Sequence, residues 1–182
     1  VPELQFASLD DCVTKLRALL EDAVAVRLRT SHQIGAHMSG GLDSSAVAVL
    51  AGRMLRAQGK TLPTYNWQAT PGPDDDQSGL EYAGLPMICA AEGLTQTNVD
   101  LTPEFLVEEL RKDICLYQAL NMWYEPLVRC AAVRDGVRVM LSGWGGDELI
   151  SFNGRGWRGE QFRRGAWAQL VRDLWQGPSV VM

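Results

Sequence analysis

Hydrophobic residues recur along the chain in two patterns that alternate with each other. Apolar positions three and four residues apart predict helices, and they fall at residues 9–29, 44–57, 80–92, 126–134 and 160–175. A further helix is predicted to open at Thr102, where a capping hydroxyl is followed by a proline and an acid. Short apolar and β-branched runs predict strands at residues 34–38, 62–69, 95–99 and 137–141.

The alternation of strands and helices predicts an α/β fold, in which a parallel twisted sheet carries helices on both faces in a Rossmann-like arrangement. Ser8 is the expected N-cap of the first helix. The acidic, turn-rich residues 71–79 predict a loop, and Pro86 predicts a kink or a late start in the helix that follows. Residues 1–182 are expected to form a single domain, with 151–182 as the start of a C-terminal helical part.

The strand at 34–38 runs directly into a loop that is rich in glycine and serine. The loop comprises Ser39, Gly40, Gly41, Leu42, Asp43, Ser44 and Ser45. Its glycines let the backbone approach a ligand without a Cβ in the way. The helix that opens at its end directs N–H groups and the positive end of the helix dipole into the loop. This combination is suited to binding phosphate or pyrophosphate.

A second glycine loop, residues 142–148, follows the strand at 137–141 and ends in Asp147 and Glu148. Because ligands bind at the carboxyl ends of parallel strands, we expect the two loops to meet at one site. Mg²⁺ takes one or two carboxylates together with phosphate oxygens, so Asp43 and Asp147 are the predicted metal ligands. Glu148 joins them as a predicted catalytic residue, although it could instead support the ligands or cap a helix.

Composition excludes several classes of partner and compartment. The formal net charge of −5 argues against a nucleic-acid surface, which normally carries a basic excess. Neither a membrane-spanning apolar run nor a signal peptide is seen, and the four cysteines form no CxxC pair. A cytoplasmic protein without nucleic-acid or membrane partners is expected. The chain starts at Val1 without Met and ends soon after a helical segment, so a fragment of a longer protein is expected.

Together, SGGLDSS at 39–45 and LSGWGGDE at 141–148 resemble the glutamine-dependent asparagine synthetase family. The resemblance covers residues 9–150 and implies an ATP pyrophosphatase domain of the adenine nucleotide α-hydrolase type. It implies that a carboxylate attacks the α-phosphate of ATP, pyrophosphate leaves, and an amine then attacks the acyl-adenylate. ATP and Mg²⁺ are the implied cofactors. The implied nucleotide-binding residues are Met38, Ser39, Gly40, Gly41, Asp43, Ser44, Ser45, Gln68, Gly143 and Trp144.

Trp144 stands where asparagine synthetases usually carry a glutamate that assists aminolysis. The segment SGWGGDE is more similar to the lasso-peptide macrolactam cyclases within the family. The carboxylate substrate is therefore either a small molecule or a peptide side chain. The resemblance also implies an N-terminal glutaminase-like domain and a C-terminal segment as partners. Other classes that share the first loop are tRNA-modifying ATP pyrophosphatases and degenerate nucleotide-binding regulatory modules.

Two further polar residues have open interpretations. His37, on the strand that leads into the first loop, is interpreted as a packed strand residue in preference to a base. Glu125 precedes Pro126 at a predicted helix start, and it either caps that helix or lines the acceptor site.

Overall fold

Helices and strands alternate through the part of the chain that the structure describes. The computed structural model describes residues 6–67, 76–111, 125–146 and 157–175. In chain order its elements are α1 (Leu9–Arg27), β1 (Gln33–His37), α2 (Leu42–Arg56), β2 (Pro63–Asn66), α3 (Asp76–Glu92), β3 (Thr95–Asn98), α4 (Pro103–Arg111), α5 (Glu125–Arg134), β4 (Val137–Leu141), α6 (Trp157–Arg163) and α7 (Trp167–Trp175).

The four strands form one parallel sheet in the order β3-β2-β1-β4. From β1 the chain moves outward through β2 to β3, and it then returns across the sheet to place β4 on the other side of β1. The direction of winding therefore reverses between β1 and β4, which is the position where open α/β sheets bind ligands. The predicted fold class is confirmed.

Apolar residues cover both faces of the sheet because successive side chains of a strand point to opposite faces. On one face, Ile34, Ala36 and Met38 pack with buried residues of α1 and α2. On the other face, Tyr65 packs with Val137 of β4 and with buried residues of α5. These two apolar layers enclose β1, which is an interior strand of the sheet. Its carboxyl end lies at the end of the sheet where ligands bind in such folds.

Side-chain caps place two helix starts where the sequence predicts them. The Ser8 hydroxyl accepts a hydrogen bond from the backbone N–H of Asp11 at 3.1 Å, at the start of α1. The Thr102 hydroxyl accepts one from the N–H of Phe105 at 3.2 Å, at the start of α4. Each bond satisfies a donor that the first turn of a helix leaves without an intrahelical acceptor.

Two local predictions were wrong, and a third was wrong in part. Helix α3 begins at Asp76, so the predicted loop at 71–79 overlaps its first turn. Pro86 lies inside this helix and does not delay its start, while the alternative of a kink stays a prediction. The predicted single helix at 160–175 is two helices, α6 and α7, because Gly165 has φ +69°. The N–H of Ala166 then bonds to the carbonyl of Gln161 at 2.9 Å, which closes α6 with a Schellman-type end.

The chain divides into two compact units, residues 1–143 and 144–182. The first contains the sheet and α1 to α5, and the second contains α6 and α7. Among the residues described, no helix has both the length and the apolar character needed to cross a bilayer. The cysteines at 12, 89 and 130 carry free thiols, and Cys130 is exposed.

Tyr65 provides a test of the packing between β2 and the end of α5. It is fully buried, and its hydroxyl donates to Asp135 Oδ2 at 2.7 Å. Replacing it in Tyr65→Phe is expected to lower the free energy of unfolding by about 2 kcal/mol, since one hydrogen bond to a carboxylate is lost. Urea unfolding at neutral pH measures this change.

The same pair has a defined pH dependence. Burial, and then the hydrogen bond and charge of Asp135, raise the pKa of Tyr65 above its usual range. A raised pKa means that the stabilisation is complete below the unfolded pKa of about 10 and is lost as the pH rises through the folded value. The wild type should therefore lose more stability than Tyr65→Phe in strong alkali. An equal loss in the two proteins contradicts the assignment.

Candidate functional site

The first glycine loop connects β1 to α2 in four residues. Strand pairing continues one step beyond β1, because the N–H of Met38 donates to the carbonyl of Tyr65 at 2.9 Å. Gly40 has φ +95°, a conformation that L side chains rarely adopt. Gly41 is the extended N-cap of α2, and no side chain caps it. The chain therefore turns sharply from a central strand into a helix of 15 residues.

Serine hydroxyls hold this turn in shape. Ser39 Oγ and Ser44 Oγ lie 3.0 Å apart, and Ser44 Oγ also accepts from the Ser39 N–H at 3.2 Å. The Gly41 N–H donates to Ser39 Oγ at 3.3 Å, while the Ser44 hydroxyl donates to the Gly41 carbonyl at 3.3 Å. Both serines remain partly exposed. They can thus order the loop and still offer hydroxyl groups to a ligand.

The donors at the start of α2 fit a phosphate chain. Its first turn directs backbone N–H groups and a partial positive charge toward the loop. Ser45 Oγ is buried and has no hydrogen-bond partner among the described residues, which is the condition of a hydroxyl left for a ligand. Asp43, half-buried in the same turn, adds a carboxylate that could face a cation.

The second glycine loop touches the first one through backbone atoms. A Cβ built on Gly143 would lie 2.5 Å from Ser44 N and 2.6 Å from the carbonyl carbon of Asp43. Real Cβ atoms essentially never approach other atoms so closely, so this contact requires glycine at 143. It arises because Gly143 follows β4, the parallel neighbour of β1. The expected meeting of the two loops is therefore observed at this glycine.

Several predicted site residues are not tested by this geometry. Gln68, Asp147 and Glu148 lie outside the described residues, so the predicted carboxylate pair for Mg²⁺ stays a prediction. Trp144 lies in the second compact unit, where 70% of its surface is exposed. Within the described ranges, no group of three or more His, Cys, Asp or Glu side chains could hold a metal ion.

A second polar cluster lies at the carboxyl end of β1, on the face covered by α5. His37 Nε2 lies 3.3 Å from Glu125 Oε2, and the His37 ring meets the Trp67 ring edge to face with centroids 5.0 Å apart. Glu125 also approaches Arg129 Nε at 3.5 Å. Sequence reasoning considered His37 and Glu125 singly and missed their pairing. The signal that could have joined them is that each ends or begins an element at the ligand edge of the sheet.

The electrostatics of this cluster favour an anionic Glu125. Burial acts to raise the pKa of Glu125, but the hydrogen bonds and charges of His37 and then Arg129 outweigh it and hold that pKa below its ordinary value. A carboxylate in this state accepts a hydrogen bond from an imidazole N–H. Glu125 is therefore a half-buried carboxylate that faces both His37 and Arg129.

Known proteins similar to this chain are asparagine synthetases. The family model described as asparagine synthase matches residues 15–177. Asparagine synthetase [glutamine-hydrolyzing] 3 of Bacillus subtilis is 28% identical over 169 residues, covering 82% of this chain and 26% of the relative. A probable glutamine-hydrolysing asparagine synthetase of Acanthamoeba polyphaga mimivirus is 24% identical, covering 78% and 26%. The chain thus spans about a quarter of the length of these curated relatives.

Two solved structures share the fold at low sequence identity. An NH₃-dependent NAD synthetase from Campylobacter jejuni matches with a TM-score of 0.50 and 16% identity, covering 77% of this chain and 60% of that one. The U34-tRNA thiolase NcsA from Methanococcus maripaludis matches with a TM-score of 0.51 and 11% identity, covering 86% and 51%. These likenesses concern the fold, whereas the family model covers most of the chain, which therefore belongs to the asparagine synthase family of ATP-dependent carbon–nitrogen ligases.

Proposed function

We propose that this chain is the ATP-handling domain of an amide-forming synthetase, which activates a carboxylate as an acyl-adenylate and transfers the acyl group to an amine. The observation that carries the proposal is the backbone contact of Gly143 with Asp43 and Ser44. It joins two glycine loops at the winding reversal between β1 and β4, in a chain that belongs to the asparagine synthase family.

In this proposal the loop between β1 and α2 holds the pyrophosphate part of ATP. The Ser39 and Ser44 hydroxyls and the N–H groups of the first turn of α2 donate to phosphate oxygens. Because these donors are held in place before the reaction, they stabilise the negative charge that pyrophosphate carries as it leaves. The backbone of Met38, Gln68 and Gly143 is proposed to hold the adenosine.

We also propose that Asp43 and Asp147 hold Mg²⁺. The chemistry of the donor set supports this, since Mg²⁺ prefers one or two carboxylates together with phosphate oxygens. When bound, the ion would neutralise charge on the phosphates and so favour attack at the α-phosphorus. Asp43 is suited to the role because it lies in the first turn of α2, next to the proposed phosphate donors.

Two reactions are compatible with this proposal, asparagine formation and ring closure of a peptide. We favour the peptide, because Trp144 has no group that accepts a proton from ammonia and its indole is 70% exposed. An exposed indole offers a large apolar face to a peptide substrate. Both curated relatives are named as glutamine-hydrolysing. A glutaminase-like partner domain and a C-terminal segment therefore remain part of the proposal.

Exchange of labelled pyrophosphate into ATP tests this function in the intact protein. With Mg²⁺ and a suitable carboxylate, exchange is expected, because formation of the acyl-adenylate is reversible. Exchange with aspartate supports asparagine formation, whereas exchange only with a peptide that carries an internal Asp or Glu supports ring closure. ATP binding without exchange for any of these carboxylates contradicts the synthetase proposal and favours a regulatory module.

A further inference from the structure

The unpartnered nitrogen of His37 is a feature that the proposed nucleotide site does not use. The His37 side chain is only 7% exposed, and its Nε2 lies 3.3 Å from Glu125 Oε2. The ring is held from a second side by the edge-to-face contact with Trp67. Its other nitrogen, Nδ1, is buried and has no hydrogen-bond partner among the described residues.

The pairing with Glu125 determines which nitrogen can accept a proton. An anionic carboxylate accepts only, so whenever His37 is neutral its remaining proton is on Nε2, facing Glu125. Nδ1 then carries a lone pair. A buried polar atom without a partner costs about 1–3 kcal/mol, so a hydrogen-bond partner from substrate or solvent is expected at Nδ1.

The charged groups around His37 come from three elements. From α5, Glu125 contacts the imidazole, and Arg129 acts through Glu125. From β2, Tyr65 pairs with His37 in the strand register, and its hydroxyl is engaged by Asp135. On β4, Arg138 is exposed near the start of the strand, at the end of the sheet away from His37. Among the residues that the structure describes, Glu125 is therefore the charged group in contact with the imidazole.

We propose that His37 is the general base of the amide-forming step and takes a proton on Nδ1 from the attacking amine. This inference rests on the proposed function. The position supports it, because His37 ends β1, two residues before Ser39 of the phosphate-binding loop. The separation of 3.3 Å from Glu125 is long for a charge-assisted bond, which is common for catalytic pairs before the substrate binds.

The proton balance of the step is complete with the groups named. The amine nitrogen attacks the acyl carbon, a C–N bond forms, and the C–O bond to AMP breaks as AMP leaves with the electron pair. The surplus proton on nitrogen passes to His37 Nδ1, and the imidazolium gives it up when the products leave. Glu125 stabilises the imidazolium that exists between these two transfers, through its hydrogen bond to Nε2.

The reaction has two half-reactions, formation of the acyl-adenylate, measured by pyrophosphate exchange, and formation of the amide. Measuring them separately distinguishes the role of His37 from the proposed function. In the intact protein, His37→Gln keeps the size and a hydrogen-bond donor for Glu125 but cannot take the proton. Pyrophosphate exchange should stay within about twofold of wild type, while amide formation falls about 100-fold, the low end for loss of a general base. Glu125→Gln should show a smaller loss confined to amide formation.

Matched controls are available for both variants. His32, the other histidine of the chain, is exposed, so His32→Gln should leave both half-reactions unchanged. Glu104 is an exposed acid in the first turn of α4, as Glu125 is in the first turn of α5. Glu104→Gln should likewise have no effect on either half-reaction.

The wild-type pH profile decides the matter if a variant fails to fold. Amide formation should fall in acid more than exchange does, because a base that is already protonated cannot take the proton from the amine. The inference is overturned if the ratio of the two rates does not change with pH. It is also overturned if folded His37→Gln loses both half-reactions equally or neither. Absence of exchange in the wild type sinks the proposed function itself.

Discussion

Gly143→Ala is expected to lower the rate of pyrophosphate exchange about 100-fold, and Gly143→Val should lower it at least about 1000-fold. The added Cβ would lie 2.5 Å from Ser44 N and 2.7 Å from Ser44 Cα, which are backbone atoms that cannot rotate away. One loop must therefore move by nearly an ångström, and displacements of that size cost about 100-fold in rate. The larger side chain of valine should increase the displacement.

The free energy of unfolding of the two Gly143 variants provides a second measurement, and Gly84 provides a matched control. Overpacking of this kind is expected to lower the free energy of unfolding by about 1–3 kcal/mol. A Cβ on Gly84, within α3, meets no atom within 4 Å, so Gly84→Ala should leave exchange unchanged. Wild-type exchange in Gly143→Ala would mean that the contact between the two loops is irrelevant to nucleotide binding.

Asp43→Asn is the second change with a large expected effect. Replacing the carboxylate by an amide removes the proposed charged Mg²⁺ ligand, and such a ligand is worth several kcal/mol of charge stabilisation in the transition state. A loss of about 4 kcal/mol corresponds to a fall of about 1000-fold in exchange. Raising the Mg²⁺ concentration should recover part of the rate, so exchange is measured as a function of Mg²⁺.

Folding should be almost unaffected by the same substitution. Asp43 lies in the first turn of α2, where an acid favours the helix by only about 0.3–1 kcal/mol. Asp10→Asn in the first turn of α1 is the matched control, since Asp10 is exposed and lies outside the proposed site. If Asp43→Asn retains wild-type exchange and its Mg²⁺ dependence, the metal assignment of Asp43 is wrong.

The elements around the site could be predicted because their local patterns agree with the fold. Strand β4 has the predicted bounds, and β1 differs by one residue at each end. The meeting of the loops followed from a general rule for parallel sheets. The order of strands did not follow from the sequence, because nothing local to β4 specifies that it pairs with β1 and not with β3.

Other features depended on contacts or backbone conformations that no local pattern encodes. The His37–Glu125 pair joins residues far apart in sequence, and each residue alone has an ordinary interpretation. The break between α6 and α7 depends on a positive φ at Gly165, whereas an isolated glycine in a helical pattern is often tolerated. The spacing of hydrophobic residues contains no information about polar pairs or about the sign of φ. Both features were therefore missed from the sequence.

Because β4 pairs directly with β1, the distance between the two glycine loops depends on this pairing and not on most of the chain between them. Their spacing is set by one strand ladder, whose pairs run from Gln33 with Val137 to Ala36 with Leu141. Residues of α3 and α4 can therefore diverge while the two turns keep their mutual distance.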